Sequence, residues 1–181
     1  SQCDSDQDKE RSLSRALLKV WASLWNMEAY EERDWYGIDH SRASMAILVN
    51  TRSKNEQANI VAFTANPTTA GDDRMLVNAQ VGELDVVSAG PGVVPEKVLL
   101  DVDAGSVVEI LRVSPSSVVL PGAEVLSDAQ LESLGEHLWA LSEVFPVDTP
   151  VPVDRDLLLD TEWKVLEDGR LIIKQVRPFL R

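Results

Sequence analysis

The stretch Asp160-Thr-Glu162-Trp163-Lys-Val-Leu-Glu-Asp168-Gly169-Arg-Leu-Ile-Ile-Lys-Gln175-Val-Arg177-Pro178 decides the fold. Two apolar runs flank an Asp-Gly dipeptide. Asp-Gly suits a two-residue type I′ turn, in which both central residues take positive φ. A hairpin closed on Asp168 and Gly169 sets Glu162 opposite Gln175 and Asp160 opposite Arg177. Side chains two apart on a strand share a face. Two carboxylates, an amide and a guanidinium therefore gather on one face of a hairpin otherwise built from Leu, Ile and Val. Such a patch suits a metal ion and a polyphosphate. Pattern alone fits ordinary cross-strand pairing on a solvated face at least as well, at about 0.2–1 kcal/mol per pair.

Working outward, Leu13 to about Arg33 reads as one helix. Leu17, Trp21, Leu24 and Trp25 recur at three- and four-residue steps and form an apolar stripe, which places Trp21 and Trp25 in the core. The period then changes. Met45–Asn50, Ile60–Thr64, Met75–Ala79, Val98–Val102, Val107–Val113 and Val118–Leu120 read as short strands between polar or Gly/Pro turns. Ser88-Ala-Gly-Pro-Gly-Val-Val-Pro95 is a loop by composition. Ser127-Asp-Ala-Gln130 is a capping box, and the helix behind it runs to about Phe145 with Leu131, Leu134, Leu138 and Leu141 inward. Pro146 stops that helix, and Pro150 and Pro152 stiffen the connector to the hairpin. The expectation is one α+β domain: a mixed, mainly antiparallel sheet flanked by two long helices.

Composition narrows the function. The 181 residues suffice for one domain with a sizeable core. Thirty acidic against 17 basic residues give a formal charge of −13, which argues against nonspecific nucleic-acid binding, since that needs clustered Lys and Arg. No apolar run approaches the roughly 18–20 residues of a membrane span, and no secretory signal is visible, so no membrane partner is expected. Cys3 is the single cysteine. It excludes an intrachain disulfide and a cysteine-cluster zinc site, and fits a reducing, cytoplasmic setting. His40 and His137 are the two histidines and read as surface or packing residues, not as a metal pair. The acidic residues 1–12 read as a flexible segment, and 13–181 as the folded part.

Asp-x-Glu-Trp at Asp160–Trp163 followed by Gln-x-Arg-Pro at Gln175–Pro178 resembles the end of the ATP-grasp nucleotide-binding domain of the phosphoenolpyruvate synthase and pyruvate phosphate dikinase family. Further islands follow the family's order. Trp21-Ala-Ser-Leu-Trp25-Asn26, Ala29–Arg33 and Gly37-Ile-Asp-His40 resemble its helix and following segment. Met45–Asn50 resembles its nucleotide-hinge strand, Ala62-Phe-Thr-Ala-Asn-Pro67 its Phe-Thr-x-x-Pro stretch, and Asn78-Ala-Gln-Val-Gly-Glu83 with Asp85-Val-Val87 its Gln-Gly-Glu-Asp-Val-Val segment.

The resemblance implies an ATP-grasp-like fold, with residues 13–181 as the C-terminal part of the domain. It implies ATP and Mg²⁺ as ligands, and transfer of phosphate from ATP through a carrier histidine to pyruvate or another small-molecule acceptor. It implies Asp160, Glu162, Gln175 and Arg177 at the phosphates, with Glu162 and Gln175 as metal ligands. Asn50, Thr51, Arg52 and Ser53 fall at the adenine hinge, where the family usually has Gln and apolar residues, and Glu83 falls at the acidic residue of the Gly-Glu segment. The family's first ATP-grasp subdomain, with its lysine and Arg-Ser-Ser motif, and its phosphohistidine domain are expected as partners, in the same polypeptide or a companion chain. Rifampicin-type phosphotransferases resemble the same domain, and a non-catalytic nucleotide-binding or regulatory module is the rival outside enzymes.

Overall fold

The computed structural model describes residues 12–49, 55–87, 90–146, 151 and 153–181. The chain divides into two compact units, Ser1–Arg52 and Ser53–Arg181.

In the first unit, the helix expected over residues 13–33 is two helices, α1 (Leu13–Ser23) and α2 (Met27–Trp35). Ser12 caps α1, its hydroxyl accepting from the Arg15 N–H. The break falls at Asn26, whose extended backbone (φ −62°, ψ 152°) makes it the N-cap of α2. The Asn26 side chain makes no capping hydrogen bond, so the cap rests on its extended backbone alone. A short 3₁₀ turn, His40–Arg42, follows. Trp21 and Trp25, expected in the core, are 50% and 58% exposed, because neither helix buries an apolar side chain. Residues 45–49 form no strand: among the described residues they have no neighbouring strand to pair with.

The second unit is α+β. Six strands, β1 (Ala58–Phe63), β2 (Met75–Val81), β3 (Glu96–Asp103), β4 (Ser106–Ser114), β5 (Leu157–Val165) and β6 (Leu171–Leu180), form one sheet in the order β4-β3-β2-β1-β5-β6. Every pairing is antiparallel, so the sheet is not mixed. The expected strand at Val118–Leu120 is a turn. Pro115 lacks a ladder donor, and the Ser116 hydroxyl accepts the Val118 N–H and donates to Gln80 Oε1. One long helix, α3 (Asp128–Val144), covers one face of the sheet; its capping box at Ser127 and Gln130 is formed in both directions. Phe145 is extended, as a residue before proline must be.

The core lies between α3 and the sheet. Ile60, Val77, Val98, Leu100, Trp163 and Val165 close against Leu131, Leu134 and Leu138. Gly135 sets the approach of the helix: a Cβ built there would lie 2.4 Å from Val107 Cγ2.

Candidate functional site

Strand β5 alternates between buried and half-buried residues from Thr161 to Val165. Thr161, Trp163 and Val165 turn to the α3 side and are buried, with Trp163 Nε1–H donating to Thr161 Oγ1 at 2.8 Å and Thr161 donating to the Ala62 carbonyl. Asp160, Glu162 and Lys164 therefore face the other side. Glu162 pairs with Gln175 and Asp160 with Arg177.

The expected pairs are present, but not for the expected reason. The turn is not a two-residue type I′. The Gly169 N–H donates to the Leu166 carbonyl, Leu166 N–H donates to the Arg170 carbonyl, and of the two central residues only Gly169 has positive φ, at 84°. This is a three-residue loop, a type I turn closed by a left-handed glycine. It shifts Val165, Lys164 and Trp163 by one residue, onto Leu171, Ile172 and Ile173. A bulge between Glu162 and Trp163 then takes up Lys174 as the extra residue and restores the register toward the chain's end. The two offsets cancel at the four residues of interest.

Across the sheet these residues lie in rows. Gln175, Glu162, Val61, Asn78 and Lys97 form one; Arg177, Asp160, Phe63, Leu76 and Leu99 form the next. Lys164, Asn59 and Gln80 begin a third. Asp160 is nearly buried, its carboxylate oxygen Oδ2 accepting from Arg177 Nε at 2.8 Å and lying 2.6 Å from Nη2. The Arg177 side chain is 63% exposed, so the guanidinium is anchored at one edge and open beyond it. Phe63 and Phe179 meet edge-on at 5.4 Å beside that pair. Glu162 is half-exposed, and its Oε2 is 3.3 Å from the ammonium of the equally exposed Lys174. Gln175 is exposed. The patch is thus partly open to solvent: Glu162, Gln175 and Arg177 are accessible and Asp160 is buried.

Three further features of this face were not read from the sequence. The Lys164 ammonium is ion-paired with Glu56, a buried carboxylate whose Oε2 has no hydrogen-bond partner. Asn59 donates to the Gly82 and Leu84 carbonyls and so fixes the turn that carries the exposed Glu83. Gln80 is fully buried, tied to Ser116 and to the Val94 carbonyl. The alternation of Asn59 against Ile60 and of Asn78 and Gln80 against Val77 and Ala79 carried part of this. The pairing of Glu56 with Lys164 left no local trace. The hinge residues Asn50, Thr51, Arg52 and Ser53 lie outside the described residues, as do residues 1–11, Pro150 and Pro152.

Among the described residues no cluster of three or more His, Cys, Asp or Glu side chains is placed to hold a metal ion. A cage made by protein alone is therefore not formed there. One exposed carboxylate beside an amide oxygen fits a different arrangement. Mg²⁺ commonly takes one or two carboxylates and completes its octahedron with phosphate oxygens and water. Elsewhere in this unit, Arg74 and the Asn66 amide hold the Asp72 carboxyl far below the usual carboxylate range, and Arg170 does the same, more weakly, to Asp168. An open pocket beside Ser133 and His137 lies on the α3 side, away from Glu162. Among the described residues no helix is long and apolar enough to cross a membrane.

Residues 6–181 match the family model described as pyruvate phosphate dikinase, AMP/ATP-binding domain. The chain is 25% identical over 175 residues to the phosphoenolpyruvate synthase of Pyrococcus furiosus, covering 90% of this chain and 21% of that protein. It is 26% identical over 179 residues to the phosphoenolpyruvate synthase of Aeropyrum pernix, covering 95% and 22%. A probable phosphoenolpyruvate synthase of Methanothermobacter thermautotrophicus is 27% identical over 178 residues, covering 90% and 24%. The chain thus spans less than a quarter of the length of these curated relatives.

Proposed function

The chain belongs to the pyruvate phosphate dikinase AMP/ATP-binding domain family, and on that premise we propose that its polar sheet face is one side of an ATP·Mg²⁺ site. The fold would be the second part of an ATP-grasp domain, and the activity phosphoryl transfer from ATP through a carrier histidine to pyruvate or another small acceptor. A first ATP-grasp subdomain and a phosphohistidine domain, in the same polypeptide or a companion chain, would complete it. The observation that carries the reading is the convergence of Asp160, Glu162, Gln175 and Arg177 on one face of β5 and β6.

The roles follow from chemistry and exposure. Phosphoryl transfer needs positioning and charge stabilisation more than covalent help from protein. Arg177 offers its open edge to phosphate oxygens, and Asp160 holds that guanidinium in place through Nε and Nη2. Glu162 and Gln175 present hard oxygens that would hold Mg²⁺. When bound, the metal offsets phosphate charge. Asn59 positions the turn bearing Glu83 at the margin of the same face. Asn50, Thr51, Arg52 and Ser53 would take the adenine, largely through backbone groups.

The chain by itself presents one wall of such a site, so electrostatic preorganisation around the phosphates is incomplete. The test is ATP-dependent formation of AMP and phosphate by the purified chain, alone and joined to the first subdomain. The reading expects negligible turnover alone and restored turnover in the longer protein. Robust turnover by the chain alone would contradict the two-sided site. No ATP binding in the longer protein would favour a module without catalysis.

A further inference from the structure

Arg33 is the only buried residue of α1 and α2, at 8% exposure. Its Nε–H donates to His40 Nδ1 at 3.1 Å, and its guanidinium carbon lies 5.4 Å from the centroid of the Trp25 ring. Its Nη2 is buried without a hydrogen-bond partner. A guanidinium is protonated at all ordinary pH and has no acceptor. His40 Nδ1 must therefore carry a lone pair, which places the ring proton of neutral His40 on Nε2. The imidazole is stacked on Tyr30 at 4.1 Å with the planes 6° apart, so it is held in the orientation the bond needs.

We propose that Arg33 and His40 form a pH-sensitive latch that ties the 3₁₀ turn to α2 while His40 is neutral and releases it when His40 is protonated. Protonation at Nδ1 removes the acceptor and sets N–H against N–H. It also places a second cation against a buried guanidinium that already has one unmet donor. Among the described residues, Tyr30 on α2 stacks on the imidazole and Asp39 at the head of the turn interacts with it electrostatically. Asp39 accepts from the hydroxyl and N–H of Ser41, which hold its carboxyl below the usual range. It stays ionised while histidines titrate, so it does not itself switch. The backbone cap from Ile38 N–H to the Arg33 carbonyl, at 2.8 Å, is independent of the imidazole. Release therefore frees the turn without unwinding the helix end. No apolar side chain of α1 or α2 is buried, so these two helices offer no apolar core to offset the loss.

The intact chain is well suited to the test because His40 and His137 are its two histidines. The measurement is NMR of both imidazole rings and of the Arg33 Nε–Hε group from about pH 8 to about pH 5, with His137 as the internal reference. The latch predicts the Nε2–H tautomer for neutral His40. It predicts that the Arg33 Nε–Hε and Ser41 amide signals shift in step with protonation of His40. In His40→Phe, which keeps a ring on Tyr30 but offers no acceptor, both signals lose that response. A proton on Nδ1 of neutral His40, or Arg33 and Ser41 signals that do not follow the ring, overturns the proposal. If His40→Phe does not fold, the tautomer and the co-titration in the unaltered chain decide.

Discussion

On the α3 side of the sheet, Ile60, Val77, Val98, Leu100, Trp163 and Val165 are buried against Leu131, Leu134 and Leu138. On the opposite side, Asn59, Asn78, Lys97, Glu162 and Lys164 are half-buried and Gln175 and Arg177 are exposed, beside the buried Leu76, Leu99, Asp160 and Gln80. Both faces come from the same strands, one residue out of phase. The difference teaches where each kind of free energy resides. Burial of apolar surface is worth roughly 25 cal/mol per Å² and holds the fold through the α3 face. An exposed polar pair such as Glu162 with Lys174 is worth about 0–1 kcal/mol, so stability alone does not account for placing Glu162 and Gln175 on this face, whereas Asp160 with Arg177, its carboxylate buried, also serves the fold.

The comparison breaks most readily on its apolar side. Leu134 is fully buried, so Leu134→Ala should destabilise by about 2–5 kcal/mol in denaturant melts, through lost transfer energy and the cavity left behind. A smaller loss would mean that α3 is not the principal lid of the core.

Arg177→Ala sharpens the boundary between the faces. Because Asp160 is nearly buried, removing its partner leaves an unsatisfied carboxylate and should cost about 1–3 kcal/mol. Arg177→Lys keeps the charge and should recover much of that stability. Melts of both variants would show whether Asp160 belongs to the stabilising side. Equal stability in all three proteins would show that it does not.

The hairpin also shows how far a sequence can be read. The faces were legible because alternation set them, and Asp-Gly marked where the chain turns. The true turn, with one positive φ, and the bulge at Lys174 were not, and their offsets happen to cancel. The capping box at Ser127 and Gln130 was legible because its signal is local. The fate of Trp21 and Trp25 was not: an apolar stripe shows what a helix can bury, not what covers it. Glu56 and Lys164 are 108 residues apart, and nothing near either one announces the other.

Further from the site, Asp72 accepts from Arg74 Nε and Nη2 and from Asn66 Nδ2, each at 2.8 Å. A carboxyl held below its unfolded pKa contributes stability above that unfolded value and loses it as pH falls. The Asp72 contribution is thus complete above about pH 4 and fades in stronger acid. Asp72→Asn should lower stability at neutral pH and flatten its acid dependence below about pH 4, as followed by melts across that range. An unchanged acid limb would remove Asp72 from the account.

The smallest effect belongs to Trp21→Ala. A buried Trp typically costs about 3–5 kcal/mol, but Trp21 is 50% exposed, so the loss in this chain should stay within about 1 kcal/mol. A core-sized loss would show that the indole is covered in solution.

Glu162→Ala tests the central claim, that the polar face serves a ligand and not the fold. Glu162 is half-exposed, and its ion pair with Lys174 is at the surface, so its loss should change stability by no more than about 1 kcal/mol. In the longer protein with the first subdomain present, ATP-dependent turnover should fall by about 100–1000-fold, the usual cost of removing one preorganised electrostatic group. The measurement is turnover and thermal unfolding on the same Glu162→Ala preparation. Near-normal turnover, or a melt lowered as far as that of Leu134→Ala, would contradict the account.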